Sequence, residues 1–273
     1  MRNLEKGKAA KEDIESTTKC AKDVISVWEI DMASYASVQK FAARVDAELD
    51  RVDIFIANAG VASGKFIMVE DNERMITINV ISTFLLAGLV MPKLKATAAK
   101  YNVRPVLTIT SSEVHSWTKF TERSAPDGEI FATLADQTAA GKKPALDYYP
   151  ISKLLEVFGV RAIAAQHPSS SYPVTINCVN PGLCHSELSR ESNSWMFWLT
   201  RQLLARSTEK GSRTLYQAAT TGPDSHGCYM SDCAIGSPAE WVTTDEGKEV
   251  QDRVWSELLK KLDAINPGVS RNF

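Results

Sequence analysis

The sequence predicts an α/β fold in which helices cover both faces of a parallel sheet. Short apolar segments alternate with longer segments of helical periodicity along the chain, which is typical of β-α-β units with right-handed crossovers. No repeat, low-complexity tract or linker divides the 273 residues, of which 44% are hydrophobic. We therefore predict one domain, residues 1–273, with a doubly wound sheet.

Four segments are predicted as strands because they are short, apolar and rich in β-branched residues. In chain order they are Asp23–Ile30, Val52–Ala57, Pro105–Thr110 and Pro173–Val179. The segments between them are longer and carry apolar residues at helical spacing. The predicted helices are Ser34–Leu49, Glu70–Lys100 with a break or bend, Pro150–Gln166 and Trp241–Leu262.

Polar or small residues follow each predicted strand. Ligands of doubly wound sheets bind beyond the carboxyl ends of the strands, so these residues are the first candidates for a site. They are Asp31, Asn58-Ala59-Gly60, Ser111-Ser112 and Asn180-Pro181-Gly182.

Charge and composition exclude some partners and favour one compartment. The 31 Lys and Arg nearly balance the 33 Asp and Glu, so the chain lacks the positive charge of a nucleic-acid binder or an anionic-membrane binder. Its start is too polar for a signal peptide, and the apolar run near Val80–Pro92 is too short and interrupted to cross a bilayer. Five cysteines without framework spacing favour a reducing compartment, and we expect a cytoplasmic protein without a membrane segment.

Tyr149 and Lys153 place a phenol and an amine four residues apart at the start of a predicted helix. Residues at this spacing share a helix face, so both groups can point at one ligand. An ammonium group favours the phenolate and is expected to lower the tyrosine pKa towards neutral pH, where the phenol can act as an acid and a base. Taken alone, the pair is more typical of a partly exposed helix surface than of a catalytic site.

The motifs in their order along residues 1–222 resemble the short-chain dehydrogenase/reductase family. The matching segments are Asp31 before a helix, Asn58-Ala59-Gly60, Asn79 within ITINVISTF, Ser112 within TITSSEVH, Tyr149 with Lys153, and Asn180-Pro181-Gly182. The long interval between Ser112 and Tyr149 is more similar to the retinol-dehydrogenase-like branch, whose fungal members often serve secondary metabolism. The resemblance implies a Rossmann-type fold and the interconversion of a carbonyl and a secondary alcohol on a mid-sized apolar metabolite.

The resemblance also implies catalytic roles. Tyr149 would give a proton to the carbonyl oxygen or take one from the alcohol, and Lys153 would lower the tyrosine pKa and hold the nicotinamide ribose. Ser112 would orient the substrate oxygen, with Ser111 as the alternative because the two serines are adjacent. Asn79 would hold a water that relays protons to Lys153.

Cofactor-binding residues follow from the same resemblance. Arg2 would favour the 2′-phosphate of NADP(H), although NAD remains possible. Asp31 would bind the adenine amine or, alternatively, cap the following helix. The other expected contacts are Asn58, Ala59, Gly60, Lys153, Pro181, Gly182 and Ser186, the last standing where the family has a threonine.

A glycine-rich turn for the pyrophosphate is absent, since no glycine lies between Gly7 and Gly60. Met1–Lys19 resembles the helix that follows the second strand of the family, so we expect a chain truncated at its N-terminus that lacks the first two strands. The strand at Asp23–Ile30 would then have no neighbour. The alternative hypothesis is a non-catalytic family member that acts as a binding or scaffold protein. A third is a different reaction, dehydration or epimerisation, on the same fold.

Three further features were weighed for function. Residues 185–240 are predicted as a substrate lid whose aromatic cluster, Trp195, Phe197 and Trp198, favours an apolar substrate. The cysteines and histidines near Cys184 and Cys228 lack the paired spacing of a zinc site, so no metal is expected. The amphipathic helix Trp241–Leu262 is predicted to dock on the core, and a homo-oligomer contact through it is a possibility that the sequence leaves open.

Overall fold

The computed structural model describes residues 1–136, 138, 143–185 and 205–273. Seven strands are described: β1 Ile54–Ala57, β2 Met68–Val69, β3 Asn72–Glu73, β4 Val106–Thr110, β5 Thr175–Asn180, β6 Tyr229–Ser231 and β7 Ala234–Gly236. Five of them form one sheet in the order β1-β4-β5-β6-β7, and β2 and β3 form a separate hairpin. The first four strands of the sheet are parallel and β7 is antiparallel, as expected for an α/β fold with a mixed edge.

Helices connect these strands. The described α-helices are α1 Leu4–Thr18, α2 Tyr35–Glu48, α3 Ser82–Tyr101, α4 Ile130–Ala135, α5 Tyr148–Gln166, α6 Thr208–Thr220 and α7 Asp245–Ile265. A π-helix over Ile76–Ile81 runs directly into α3, so the predicted break in Glu70–Lys100 is a change of helix type. The segment before it is the β2-β3 hairpin, which corrects the predicted helical start at Glu70.

The predicted strand at Asp23–Ile30 is wrong, because residues 24–30 adopt no strand. A strand needs a neighbour for its backbone groups, and among the described residues none pairs with this segment. Its main chain instead meets the start of the chain, where the Met1 amine donates to the Trp28 carbonyl and Ile30 N–H donates to the Met1 carbonyl over 3.3 Å.

Both faces of the sheet are covered, and β5 shows how. Successive strand residues point to opposite faces. Cys178 belongs to the main core formed with the π-helix, α3, α5 and α7, whereas Val179 packs with Ala218 of α6 in a second, smaller cluster. The predicted doubly wound architecture is thus confirmed over the described strands.

Strand β1 forms one edge of the sheet. Phe55 and Ala57 pack on the main core, while Ile54 and Ile56 on the other face are 46% and 40% exposed. No described strand pairs with the outer side of β1. An apolar edge of this kind is uncommon in natural sheets, which usually cover or charge their edges.

The predicted lid, 185–240, is too long at its C-terminal end. Helix α6 packs across β1, β4 and β5, and β6 and β7 extend the sheet, so residues 208–220 and 229–236 belong to the sheet and its covering layer. The aromatic cluster Trp195, Phe197 and Trp198 lies outside the described residues.

One described helix, Ile76–Tyr101, is long and apolar enough to cross a membrane by length and composition alone. Most of it is buried inside the protein, where it packs beneath the sheet. The core helix of an α/β fold has this composition because it is enclosed on all sides.

Glu73 is a buried carboxylate in the β2-β3 hairpin that starts the π-helix. One oxygen, Oε2, accepts the backbone N–H groups of Met75 and Ile76 at 2.6 and 3.2 Å, and the other oxygen has no hydrogen-bond partner. Burial raises the Glu73 pKa to about 7, although the two backbone hydrogen bonds lower it.

This raised pKa predicts a pH-dependent stability. A carboxyl group with a higher pKa in the folded state stabilises it below the unfolded pKa of 4.5, and this contribution is lost as the pH rises to about 7. Glu73→Gln keeps an acceptor for the helix start and cannot ionise. We expect the difference in unfolding free energy between variant and wild type to grow by on the order of 2 kcal/mol between these pH values. Urea unfolding at several pH values measures it, and a constant difference would contradict the prediction.

Candidate active site

The turn after β1 is held by Asn79 of the π-helix. Asn79 Oδ1 accepts the Val61 N–H at 2.9 Å, and its Nδ2 donates to the Val61 carbonyl and to Ser152 Oγ at 3.0 and 2.9 Å. Six-residue π-helices often occur at functional sites because they turn one side chain out of the α-helical register. Asn79, itself fully buried, thereby connects the end of β1 with α5.

Gly60 allows this turn to approach the site closely. A Cβ at Gly60 would lie 3.2 Å from Asn79 Oδ1 and 3.7 Å from Lys153 Nζ. Neighbouring Asn58 accepts a hydrogen bond from Thr110 Oγ1 at 3.1 Å, which joins the ends of β1 and β4. The predicted segment Asn58-Ala59-Gly60 therefore lies beside Asn79 and Lys153, and the absence of a side chain at Gly60 leaves space there.

Helix α5 begins at Tyr148, so Tyr149 and Lys153 occupy its first two turns. Lys153 is 4% exposed, and its Nζ lies 5.6 Å from the centre of the Tyr149 ring. The ammonium group donates to the Thr110 carbonyl at the end of β4 over 2.9 Å and to both carboxylate oxygens of Glu156. The predicted pair is thus together on one helix face, at the carboxyl ends of β1 and β4.

The two serines after β4 separate clearly. Ser111 is buried, and its hydroxyl donates to the Lys153 carbonyl at 2.9 Å, which ties α5 to the sheet. Ser112 is half-buried, accepts the Val114 N–H, and lies close enough to the Tyr149 phenol to lower its pKa. Of the two serines, Ser112 is therefore the one that can meet a substrate oxygen beside Tyr149.

The pKa of Tyr149 differs from the sequence-based expectation. Burial raises the pKa of this phenol, the Lys153 ammonium lowers it, the Glu156 carboxylate raises it, and the Ser112 hydrogen bond lowers it. Lys153 lowers the Tyr149 pKa, as expected, but the net effect in the cofactor-free protein is a raised pKa. The difference comes from burial and from the Glu156 carboxylate, which opposes the lysine and was not among the predicted site residues.

His115 is a positioning residue that the sequence reasoning missed. It is buried, and its Nε2 accepts the Ala239 N–H at 2.9 Å, so the ring proton is on Nδ1, which donates to the Ser112 carbonyl at 2.7 Å. Burial lowers the His115 pKa, which favours this neutral form. The spacing of Ser112 and His115 in SSEVH could have predicted this contact, because a short turn lets the histidine ring reach back to the serine.

The turn after β5 lies next to this site because β5 is the neighbour of β4. Asn180 Oδ1 accepts the Gly182 N–H at 3.0 Å, and Gly182 has a φ of +77° that favours glycine. A Cβ at Gly182 would also lie 3.2 Å from the Arg206 guanidinium. Pro181 precedes this turn, whereas Ser186, the expected contact of the carboxamide, lies outside the described residues.

Asp31 directly follows the segment Asp23–Ile30, which was predicted as a strand, and Arg2 lies near the end of the same segment. Asp31 Oδ1 accepts the Ala33 N–H at 3.0 Å, and its own N–H bonds Ser37 Oγ. The N-cap of α2 is Ser34, so Asp31 does not cap this helix. Asp31 instead belongs to a turn that precedes the helix. Arg2 is exposed and adjoins Met1, which contacts Trp28 and Ile30, so it lies near the same end of this segment.

The described residues fit one end of a nicotinamide dinucleotide. The backbone of Gly60, the buried ammonium of Lys153 and the left-handed turn at Gly182 lie at the carboxyl ends of β1, β4 and β5, where a ribose and a nicotinamide can approach the backbone. For the pyrophosphate, the 273 residues contain no glycine-rich turn ahead of a first helix. Among the described residues, no three His, Cys, Asp or Glu side chains are grouped to hold a metal ion.

Comparison with known proteins identifies relatives of this chain. A model of the family described as short chain dehydrogenase matches residues 1–116. A short chain dehydrogenase/reductase of Cryptosporiopsis sp. is 65% identical over 273 residues, which cover all of this chain and 84% of that protein. A short-chain dehydrogenase/reductase of Phaeosphaeria nodorum is 36% identical, covering 98% of this chain and 79% of that protein.

Solved structures share the fold at low sequence identity. The carbonyl reductase Sniffer of D. melanogaster superposes with a TM-score of 0.57 over 88% of this chain and 86% of that chain, at 14% identity. An NADPH-bound carbonyl reductase from chicken fatty liver superposes with a TM-score of 0.56 over 84% of this chain and 82% of that chain, at 16% identity. The close relatives, the shared fold and the ordered motifs agree, and the chain belongs to the short-chain dehydrogenase/reductase family of oxidoreductases.

Proposed function

We propose that this protein is an NADP(H)-dependent oxidoreductase that interconverts a carbonyl and a secondary alcohol on an apolar metabolite. The observation that supports this most directly is the grouping of Tyr149, Ser112 and Lys153 at the carboxyl ends of β1 and β4. A proton donor, a hydroxyl that orients an oxygen and a buried cation are the groups that carbonyl reduction requires from the protein.

Each residue has a defined task in the proposal. Bound nicotinamide supplies or accepts the hydride. Ser112 orients the substrate oxygen towards the Tyr149 phenol, which donates a proton to it in reduction and removes one in oxidation. Lys153 holds the cofactor ribose and stabilises the phenolate, while Asn79 keeps the turn at Gly60 in place and orders a water near Lys153.

The proposed preference for NADP(H) rests on Arg2. Arg2 is exposed and follows Met1, whose amine bonds Trp28 in the segment that ends at Asp31, so its guanidinium can pair an adenosine 2′-phosphate bound there. The chicken carbonyl reductase of the same fold binds NADPH according to its title. We place the protein in the cytoplasm and in secondary metabolism, consistent with five free thiols and with close fungal relatives.

The test is calorimetric titration of the 273-residue chain with NADPH and with NADH. We expect saturable NADPH binding in roughly the micromolar range and weaker binding of NADH. Arg2→Ala should weaken NADPH binding about tenfold and leave NADH binding unchanged, because only NADPH carries the 2′-phosphate. Arg213→Ala, which removes an exposed arginine from α6, is the matched control. Equal affinities for the two cofactors would contradict the proposed preference.

A second candidate is a non-catalytic family member that acts as a binding or scaffold protein. The observation that favours it is the absence of a glycine between Gly7 and Gly60, which leaves these residues without a pyrophosphate turn. The same titration separates the two, since a scaffold that lacks a cofactor site would bind neither nucleotide. Binding without turnover of any ketone would also favour this second function.

A further inference from the structure

Glu156 is a buried carboxylate that lies one helical turn beyond Lys153 on α5. The Lys153 Nζ is 2.8 Å from Glu156 Oε1 and 3.1 Å from Oε2, and the two side chains are 5% and 2% exposed. Removing two charges from water is unfavourable, and it is tolerated only when they pair closely and form further hydrogen bonds. The roles assigned so far to the site give this carboxylate no function.

Each N–H donor of the Lys153 ammonium group has an acceptor in the structure. Lys153 Nζ has three N–H groups, and the structure gives it three acceptors: the Thr110 carbonyl and the two oxygens of Glu156. The ammonium group is therefore held at the end of β4 in the cofactor-free protein, with its charge balanced by Glu156. The proposed contact with the cofactor ribose must replace one of these three acceptors. Tyr149, at 5.6 Å from Nζ to the ring centre, is affected through space.

The two charges act on the Tyr149 phenol in opposite directions. The ammonium favours the phenolate, whereas a carboxylate beside it disfavours the phenolate, and in a buried site both effects are stronger than in water. The Tyr149 pKa accordingly has a lowering contribution from Lys153 and a raising one from Glu156. A lysine without this partner would promote ionisation of the phenol more strongly.

We propose that Glu156 is a positioning residue of the active site, which holds the Lys153 ammonium at the end of β4 and cancels part of its field on Tyr149. The charge on Glu156 then determines how strongly the phenol retains its proton. The role of this effect in catalysis rests on the proposed function, but the effect itself is a property of the chain without cofactor.

The neighbours of Glu156 identify what else can titrate with it. Among the described residues, three titratable groups interact electrostatically with Glu156: Lys153 and Tyr149 on α5, and Cys178 on β5. The Cys178 pKa is in turn affected by Arg161 and Cys228. Burial raises the pKa of the Cys178 thiol far above neutral pH, so it stays uncharged when Glu156 ionises. Burial also raises the Glu156 pKa, opposed by the Lys153 ammonium.

The test is the titration of Tyr149 in the cofactor-free protein, observed by NMR with ¹³C at the tyrosine Cζ and assigned with Tyr149→Phe. In Glu156→Gln, we expect the apparent midpoint of Tyr149 ionisation to fall by about one pH unit or more, because a negative neighbour has been removed. Glu156→Asp keeps the charge and should leave the midpoint near that of the wild type. An unchanged midpoint in a folded Glu156→Gln protein would overturn the proposal.

A matched control removes another buried carboxylate that lies outside the site. Glu257 is 8% exposed and caps α4 by accepting the N–H groups of Gly128, Ile130 and Phe131. Glu257→Gln should leave the Tyr149 midpoint unchanged. If it lowers the midpoint as much as Glu156→Gln does, the effect is a general response to lost stability and the proposal fails.

Wild-type protein provides a test if Glu156→Gln does not fold. The Tyr149 resonance should then shift in two steps, a small one as Glu156 ionises and a large one at higher pH as the phenol ionises; a single step overturns the proposal. In active enzyme, Glu156→Gln should move the tyrosine limb of the kcat/KM profile to lower pH. Failure of NADPH to bind would reject the proposed function and leave the NMR result to decide on Glu156.

Discussion

Tyr149→Phe should reduce carbonyl reduction by about 10²–10⁴-fold, which corresponds to about 3–5 kcal/mol of transition-state stabilisation. The substitution removes one oxygen, and the ring keeps its place at the start of α5. Ser111 does not offer a substitute donor, because its hydroxyl is turned towards the Lys153 carbonyl. The measurement is steady-state oxidation of NADPH with an apolar aromatic ketone as the probe.

The adjacent tyrosine provides the matched control for this substitution. Tyr148 is buried, and its ring packs edge-on against Phe66 at 5.3 Å. Tyr148→Phe removes the same atom one residue earlier and should leave kcat within about twofold of wild type, since this ring faces the core. Equal losses in both variants would mean that helix integrity, and not proton transfer, had been changed.

Measuring NADPH affinity in Tyr149→Phe and Tyr148→Phe distinguishes a loss of proton transfer from a loss of cofactor binding. Because Lys153, and not the phenol, is assigned to the ribose, Tyr149→Phe should bind NADPH about as tightly as wild type. A variant that lost NADPH binding together with turnover would place Tyr149 in the binding site and remove the argument for its role as acid and base.

The grouping of site residues was predictable because it depends on strand ends. Parallel strands bring their carboxyl ends to one edge, so Asn58, Ser112 and Asn180 had to lie near one another once the strands were recognised. The structure has β1, β4 and β5 within two residues of the predicted bounds. Tyr149 and Lys153 then required only that the next helix begin where Pro150 indicated, and it begins at Tyr148.

Three features depended on interactions that a single sequence does not reveal. Asp23–Ile30 has the composition of a strand, but a strand forms only with a neighbour, and the described residues offer none. The choice between Ser111 and Ser112 required knowing which face of the sheet each side chain points to, since adjacent residues at a strand end face opposite ways. Glu156 lies in the apolar run LLEVFGV, where only the position of Lys153 shows that its carboxylate is paired inside the protein.

Gly159 is the position on α5 against which the Phe84 ring of α3 packs. A glycine within a helix costs about 1 kcal/mol relative to alanine, so its presence in the middle of α5 requires a packing reason. A Cβ at Gly159 would lie 2.2 Å from Phe84 Cζ. Phe84 is fully buried and packs edge-on against Trp255 at 5.6 Å, and Trp255 packs in the same way against Phe273 at 5.3 Å. The ring therefore has no free space to move into.

Gly159→Val should destabilise the protein by more than about 3 kcal/mol, because three added carbons must displace Phe84 and the aromatic residues behind it. Gly159→Ala should cost less, since the gain in helix propensity offsets part of a smaller clash. Thermal unfolding measures both, with a fall in Tm of roughly 2–4 °C expected for each 1 kcal/mol in a chain near this size.

Two further variants show whether the clash with Phe84 is the cause. Gly222→Ala adds the same methyl group where no atom lies within 4 Å and φ is −74°, and it should leave the Tm unchanged. Phe84→Leu shortens the ring that meets Gly159, so the double variant Gly159→Ala/Phe84→Leu should be less destabilised than the sum of its single variants. Strict additivity would show that the two side chains do not compete for the same space. Because α5 also carries Tyr149, Lys153 and Glu156, a shift of this helix away from α3 should lower turnover in Gly159→Val even at temperatures where the protein remains folded.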